Sequence, residues 1–452
     1  MRRFVLPFVL LLNACVPVTP GDTPTRALPQ AMALPPMKTF GAPRPAAPKK
    51  SNNDLALDFI ELSFQLESGR ELPVFTRFEG PISVRVTGAP PPSLGTDLRR
   101  LMHRLRTEAE IDIYEAAPNS TANITIEAVS RAQIRRALPH AACFVVPNIT
   151  TISEYKPNRR TTRTSWSALR TRERLAIFLP NDASPQEVRD CLHEELAQAI
   201  GPLNDLYRLP DSVFNDDNVH TVLTGFDMMM LKAYYAPELR SGMSRGQVAQ
   251  RLPGIFARIN PAGQSLPANF ATRTPRAWSE AVQTALGPGA NASQRRAAAA
   301  RALDIAKAMG WRDHRRAFAH YASGRLLLSA DPHAAQTHFR AADQYYAATP
   351  GATLHRAYVA TQLAAYAITK GDGDQAMTIL SRHIDEATQS ENAALLSTLL
   401  LLRAEALDLQ GRSAEAQTVR LDSLGWARYG FGSDWAVRAK LREISSLSPL
   451  NG

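Results

Sequence analysis

The sequence predicts an α+β domain over residues 51–255 followed by an all-α, helical-repeat domain over residues 256–450. Three observations carry this. Short apolar runs with strand-like alternation are interleaved with helical patterns up to about residue 200. One helix there is punctuated at both ends. From about Ala257 onward the pattern is nearly all helical, and small residues recur 40 residues apart.

The first segment is a processing signal. Met1-Arg2-Arg3 is a short basic flank, and Phe4 to Leu12 form an apolar run broken only by Pro7. About nine apolar residues are too few to cross a bilayer as a helix. The closing Leu12-Asn13-Ala14-Cys15 resembles the lipobox of bacterial lipoproteins, with Asn13 its less usual residue. The resemblance implies that residues 1–14 are a lipoprotein signal peptide and that Cys15 is acylated and becomes the new N-terminus. An ordinary signal peptide ending near a Cys is the alternative. Acyl chains anchor durably when there is more than one, since each buried methylene contributes about 0.8 kcal/mol. Val16, in place of an inner-membrane retention Asp, implies an outer-membrane destination on the periplasmic side. Val16 to Lys50 holds nine prolines. It reads as a disordered tether biased to polyproline II, with a reach of roughly 100 Å.

Globular sequence begins near Asn52. Leu55 to Phe64 reads as a helix, Ile82 to Val86 as a strand and Ser93 to Arg106 as an amphipathic helix. Ile111 to Tyr114, Asn123 to Ala128 and Cys143 to Val146 are short strand candidates. Leu175 to Leu179 is continuously apolar, fit for a strand covered on both faces. Ser184-Pro185-Gln186-Glu187 then supplies an N-cap, a Pro at the first helical position and a capping-box Glu, and Gly201-Pro202 ends the helix. The order implies a two- or three-layer α/β arrangement. Asp217 or Asn218 is expected to cap a further helix from Val219 to Tyr235, with His220 in its first turn.

In the helical part, Gly371 is followed by Ala376 and Gly411 by Ala416 at the same spacing, with Gly324, Ala335 and Phe339 about one repeat earlier. Paired helices of this period resemble tetratricopeptide-type repeats, longer than the standard 34 residues and without most of the first-helix signature. The resemblance implies a stacked solenoid with a surface for an envelope protein partner. A plain helical bundle is the alternative.

Composition narrows the function. The net charge of +10 is concentrated in runs such as Lys156 to Arg174. This run reads as a solvated basic hairpin, or as a contact for anionic lipid or envelope polymer. No nucleic-acid-binding motif is present, and the compartment argues against that partner. Cys143 and Cys191 are the two cysteines besides Cys15. In an oxidising compartment they are expected to form a disulfide, closing a loop of roughly 48 residues for about 4 kcal/mol. Two buried free thiols are the alternative.

The stretch Cys191 to Asp205 carries the candidate chemistry. His193-Glu194 suggests a zinc HExxH helix, but Ala197 stands where the second His belongs. One residue on, Glu194-Glu195-x-x-Gln198-x-x-Gly201-x-x-Asn204 has the spacing of the metzincin motif HExxHxxGxxH, with Glu, Gln and Asn replacing the three His. The resemblance extends over about residues 80–220 to the order of helix and strands in zincin peptidases, although Ser212-Val213-Phe214-Asn215 lacks the Met of their turn. It implies Glu195 as a catalytic base. An oxygen set of Glu194, Gln198, Asn204 and Asp205 suits a hard divalent cation such as calcium better than zinc. An amphipathic helix with a solvated polar face and a degenerate zincin without metal are the competing readings. Cys143, Cys191 to Asp205, Ser212 to Asn218 and Pro237 to Met243 together resemble a proteobacterial lipoprotein family sharing a domain of unknown function over about residues 55–245. No Ser/His/Asp arrangement, phosphate-cradling loop or dinucleotide fingerprint is present.

The functional expectation is a cell-envelope lipoprotein. Its helical repeats bind a protein partner, and its zincin-like domain is a catalytically inactive recognition module without cofactor. The alternative is a metal-dependent hydrolase of envelope peptide or cell-wall substrates, with Glu195 as base.

Overall fold

The computed structural model describes residues 34–41, 45–117 and 119–451. The signal peptide and Cys15 lie outside them. Pro35 onward forms one compact unit.

The first described helix, α1 (Asn52–Ser63), is capped by Ser51, whose side chain accepts the Asp54 N–H. Then follow β1 (Ile82–Gly88), α2 (Leu94–Thr107), β2 (Ile113–Glu115), β3 (Ile124–Val129), α3 (Arg131–Ala137), β4 (Phe144–Pro147), α4 (Ile152–Asn158), β5 (Leu175–Pro180) and α5 (Pro185–Ile200). The strands form a five-stranded sheet in the order β2-β1-β3-β5-β4. All neighbours are parallel except β4, which runs antiparallel to β5 with Val145 opposite Ile177. Parallel pairing requires crossover helices, and α2 supplies one between β1 and β2.

Every residue of β5 is buried, as its unbroken apolar run implied. Leu175, Ile177 and Leu179 share a core with Leu98 and Leu101 of α2 and Leu192 and Leu196 of α5. Ala176 and Phe178 point the other way, into a core with Ile134 of α3 and Ile152 of α4. Helices therefore cover both faces, which selects the three-layer arrangement. The disulfide Cys143–Cys191 is present, with Cα atoms 5.9 Å apart, and it ties α5 to the residue preceding the edge strand β4.

Two expectations need correction. The helix expected from Val219 is α6 (Gly225–Tyr234), and its cap is Thr224, not Asp217 or Asn218. Thr224 and Asp227 form a reciprocal capping box that outcompetes the upstream Asp. Asp217 caps only a turn, accepting the Val219 N–H. Hence His220 precedes the helix; its ring bonds the Pro210 carbonyl through Nε2 at 3.0 Å. The second correction concerns the Pro-rich segment, whose described residues are seated on the protein. Phe40 is buried and stacks on Trp426 at 4.5 Å, and Lys38 pairs with Asp422.

After α6 and α7 (Arg245–Ile259) the chain is helical throughout: α8 (Arg276–Leu286), α9 (Ala292–Ala308), α10 (His314–Leu327), α11 (Pro332–Ala347), α12 (Thr353–Thr369), α13 (Gly373–Leu380), α14 (Ile384–Gln389), α15 (Ala393–Leu409), α16 (Ser413–Phe431) and α17 (Asp434–Ser445). The 40-residue recurrence has a structural cause. Gly371 and Gly411 turn the chain after α12 and α15 at φ of 74° and 75°, a conformation that suits glycine. Ala376 and Ala416 then sit fully buried in the helices that fold back.

The helical part grips the α/β domain through polar contacts. Gln186 of α5 donates to Asn392 Oδ1 at 3.1 Å and accepts the Ala394 N–H at 2.9 Å. Tyr429 of α16 donates to Asp97 of α2 at 2.9 Å, and His355 of α12 bonds Asp217 at 2.6 Å.

Candidate functional site

Helix α5 is almost entirely buried. Its start follows from sequence: the Ser184 side chain accepts the Glu187 N–H and Pro185 occupies the first turn. Its end is held by a residue of the basic run Lys156 to Arg174, in a role that the sequence did not suggest. Arg172 is buried, and its guanidinium donates to the carbonyls of Gln198 and Ala199 at 2.8 Å and of Gly201 at 2.6 Å. A cation at a helix C-terminus satisfies orphan carbonyls and complements the macrodipole. Arg172 is thus a cap, not part of a solvated basic hairpin. Gly201 lies in a close approach, since a Cβ there would meet the Leu231 side-chain tip at 2.5 Å and the Ala197 carbonyl at 3.0 Å.

His193 is structural. Its Nδ1 accepts the Leu223 N–H at 3.1 Å, and burial, aided by Arg104 and Arg189, holds its pKa well below the ordinary value. The imidazole stays neutral.

The polar face of α5 and the loop after it assemble a group of carboxylates. Burial raises Glu194 to about 7, with Glu67 and Asp216 adding repulsion. Burial likewise pushes Glu195 well above the carboxylate range, reinforced by Glu194 and Glu67, and its Oε2 has no hydrogen-bond partner. Asp205 is raised by burial and then by Glu67, Glu194, Asp216 and Glu195; its Oδ1 is shut off from solvent and also unpartnered. Glu67 is raised by burial and Asp216, an effect partly offset by Gln198, whose amide donates to it at 3.4 Å. Asp216, in the left-handed region at φ 63°, is raised by burial and bonds Tyr207.

Among the residues singled out from sequence, then, Glu194, Glu195, Gln198 and Asp205 gather around Glu67. Asn204 does not join them: its Nδ2 donates to the Glu61 carbonyl of α1 at 2.9 Å. Glu67 and Asp216 were missed because they lie in loops far apart in sequence. The density of acidic groups over Asp211 to Asp217 was the available signal.

Of these carboxylates, Glu67 and Asp205 line a cleft of about 490 Å³, walled by the loop after α1, residues 204–208 and α8. Its basic residues are already matched. Arg208 pairs with the buried Asp58 and Glu61 of α1. Arg273 pairs with Glu61 at 2.6 Å and Arg276 with Glu280 at 2.9 Å. Glu67, Glu194, Glu195, Asp205 and Asp216 have no basic ion-pair partner within the described residues.

Zinc, which the zincin resemblance implies, does not fit these residues. Carboxylate and amide oxygens replace imidazole and thiolate, and Asn204 is turned to α1 instead of joining the other residues of the motif. Among the described residues no three His, Cys, Asp or Glu side chains are placed to hold one metal ion.

Fold and site together define a three-layer α/β domain with a carboxylate-lined cleft, continuous with an all-helical half. Residues 52–254 match the family described as "Protein of unknown function (DUF2927)", so a DUF2927 domain forms the α/β part and its following helices. No curated protein and no solved structure matches the chain.

Proposed function

We propose that this chain is a lipid-anchored protein of the bacterial cell envelope, whose DUF2927 domain is a zincin-like recognition module without peptidase activity. Its helical half, read as tetratricopeptide-like, offers the surface for a protein partner. The observation that carries the reading is the state of the motif helix. Where the zincin spacing calls for three imidazoles, α5 and its loop present Glu194, Gln198 and Asn204, with both amides donating to neighbouring protein oxygens. Export is supported by the basic, apolar, lipobox-like order of residues 1–15 and by the disulfide, which persists in oxidising compartments.

One observation favours the second reading, a metal-dependent hydrolase with Glu195 as base. Glu195 is buried, unpartnered and raised in pKa, as general acids and bases often are. The test is hydrolysis of casein and of cell-wall peptides by the purified full chain, wild type beside Glu195→Gln. The proposal expects no turnover from either. Turnover by wild type that disappears in Glu195→Gln would replace it with the hydrolase.

A further inference from the structure

We infer that the layer formed by α3 and α4 is a docking surface for the anionic phosphate headgroups of the membrane to which the chain is anchored. The inference rests on reading the chain as lipid-anchored, and it names the face that the anchored body turns to the lipid.

Charge singles out this layer. Residues 131–174 hold ten Lys and Arg against two Glu, so they carry a net +8 of the chain's +10. One of the ten, Arg172, is buried as the cap of α5. Arg131 pairs with Glu187, and Arg163 with Glu154. Arg135 and Arg136 of α3, Lys156 of α4, and Arg159, Arg160 and Arg174 beside it are exposed. None of these six has an ion-pair partner among the described residues. The two helices pack on the same side of the sheet, around Ile134, Ile152 and Phe178, so their outer sides share one face. Like charges gathered without counter-charge repel, and an anionic surface offsets that repulsion. Leu138, directly after Arg136 and Ala137, is 39% exposed and adds an apolar tip of the kind that enters a headgroup layer. Cations spread over two helices and the segment after them match an extended array of phosphates better than a single bound anion.

The course of the chain leads independently to the same face. Residues 16–33 separate Cys15 from the described chain, and a stretch of that length spans at most about 60 Å. The Pro35 carbonyl accepts from Arg428 of α16 at 3.0 Å. One turn on, α16 ends at Gly432, where a Cβ would lie 3.1 Å from the Ser184 Cα in the turn before α5. That turn also holds the start of α3, since Asp182 accepts the Arg131 N–H at 2.9 Å. The anchor segment therefore joins the body at the edge of the basic layer. A short connection of this kind gives the layer a high effective concentration at the lipid surface.

The test is flotation of the full chain with vesicles of phosphatidylcholine alone and of phosphatidylcholine with one third phosphatidylglycerol. The anchor binds both, so the ratio of the two partition coefficients reports the basic face. A ratio of about a hundred or more is expected at about 0.1 M salt, falling toward one at about 1 M. Arg135→Gln/Arg136→Gln/Arg159→Gln/Arg160→Gln should lower the ratio at the lower salt by about tenfold or more. The charge-matched variant Arg245→Gln/Arg296→Gln/Arg301→Gln/Arg312→Gln alters exposed residues of α7, α9 and the turn after α9, and should lower it by less than about threefold. Thermal unfolding checks that both variants fold. Wild type gives a reading free of substitutions: hydrogen exchange in α3 and α4 should slow on the anionic vesicles, while exchange in α9 does not. A wild-type ratio near one, equal losses in the two variants, or unchanged exchange in α3 and α4 would each overturn the inference. A ratio near one with saturable binding of soluble polyglutamate would overturn it in favour of an acidic polymer. No partition into phosphatidylcholine alone, with salt-sensitive binding to the anionic vesicles, would overturn the lipid-anchor reading while upholding the docking face.

Discussion

Arg189, in the second turn of α5, donates to Glu391 Oε2 at 3.0 Å from across the junction between the α/β domain and the helical half. Both side chains are buried, and the guanidinium also lies 5.1 Å from the Tyr429 ring and 5.5 Å from the Phe40 ring. Breaking a buried pair leaves one charge without compensation. Arg189→Ala should lower stability by about 3–5 kcal/mol in urea unfolding. The double replacement of Arg189 and Glu391 by Met should recover most of that loss. A loss below about 1 kcal/mol would mean that water reaches the junction.

Arg172 makes a second, purely local prediction. Arg172→Met removes three charge-assisted hydrogen bonds to the end of α5 and should cost on the order of 3 kcal/mol. Hydrogen exchange at the last turn of α5 should accelerate more than exchange in β5. Uniform acceleration would show that the residue supports the whole domain and not the helix end.

The disulfide should contribute about 2–4 kcal/mol. Its removal in Cys143→Ser/Cys191→Ser should therefore lower Tm, with reductant having no further effect on that variant. An unchanged Tm would place the stabilisation of the β4–α5 contact wholly in packing.

Titration supplies opposite trends on the two sides of neutrality. Burial, then the charge of His355, depresses His220 to about 4; burial likewise depresses His314 to about 4 against the partly offsetting Asp313. Their contribution is present above the unfolded value near 6.5 and is lost as pH falls toward 4. Glu194, raised to about 7, behaves in reverse: its contribution is present below the unfolded value near 4.5 and is lost as pH rises through 7. Glu194→Gln should therefore be more stable than wild type at pH 8, by on the order of 1–3 kcal/mol, and gain little at pH 4. Urea midpoints at the two pH values check this. A gain that is larger at pH 4 would contradict the assigned environment of Glu194.

Local patterns made much of the fold legible. The strand at Ile82 to Val86, the buried apolar run of Leu175 to Leu179 and the Ser184 cap of α5 each depend on neighbours in sequence, and each is present in the structure, although Glu187 pairs with Arg131 instead of completing the expected capping box. The start of α6 was not legible in this way, because two capping signals competed and the reciprocal Thr224–Asp227 pair prevailed. The site was half legible. Spacing on one helix singled out Glu194, Glu195 and Gln198, and Asp205 lay within reach of the same pattern. Glu67, Asp216 and Arg172 come from separate segments, and only the folded chain brings them to α5. Asn204 fits the motif spacing, but its amide is turned to α1.

Recognition without zinc depends on α5 presenting carboxylates and amides where a zincin presents imidazoles. Elemental analysis of the purified full chain, grown with zinc supplied and dialysed without chelator, tests this most directly. Zinc far below one atom per chain is expected; one firmly retained zinc atom per chain would contradict the account.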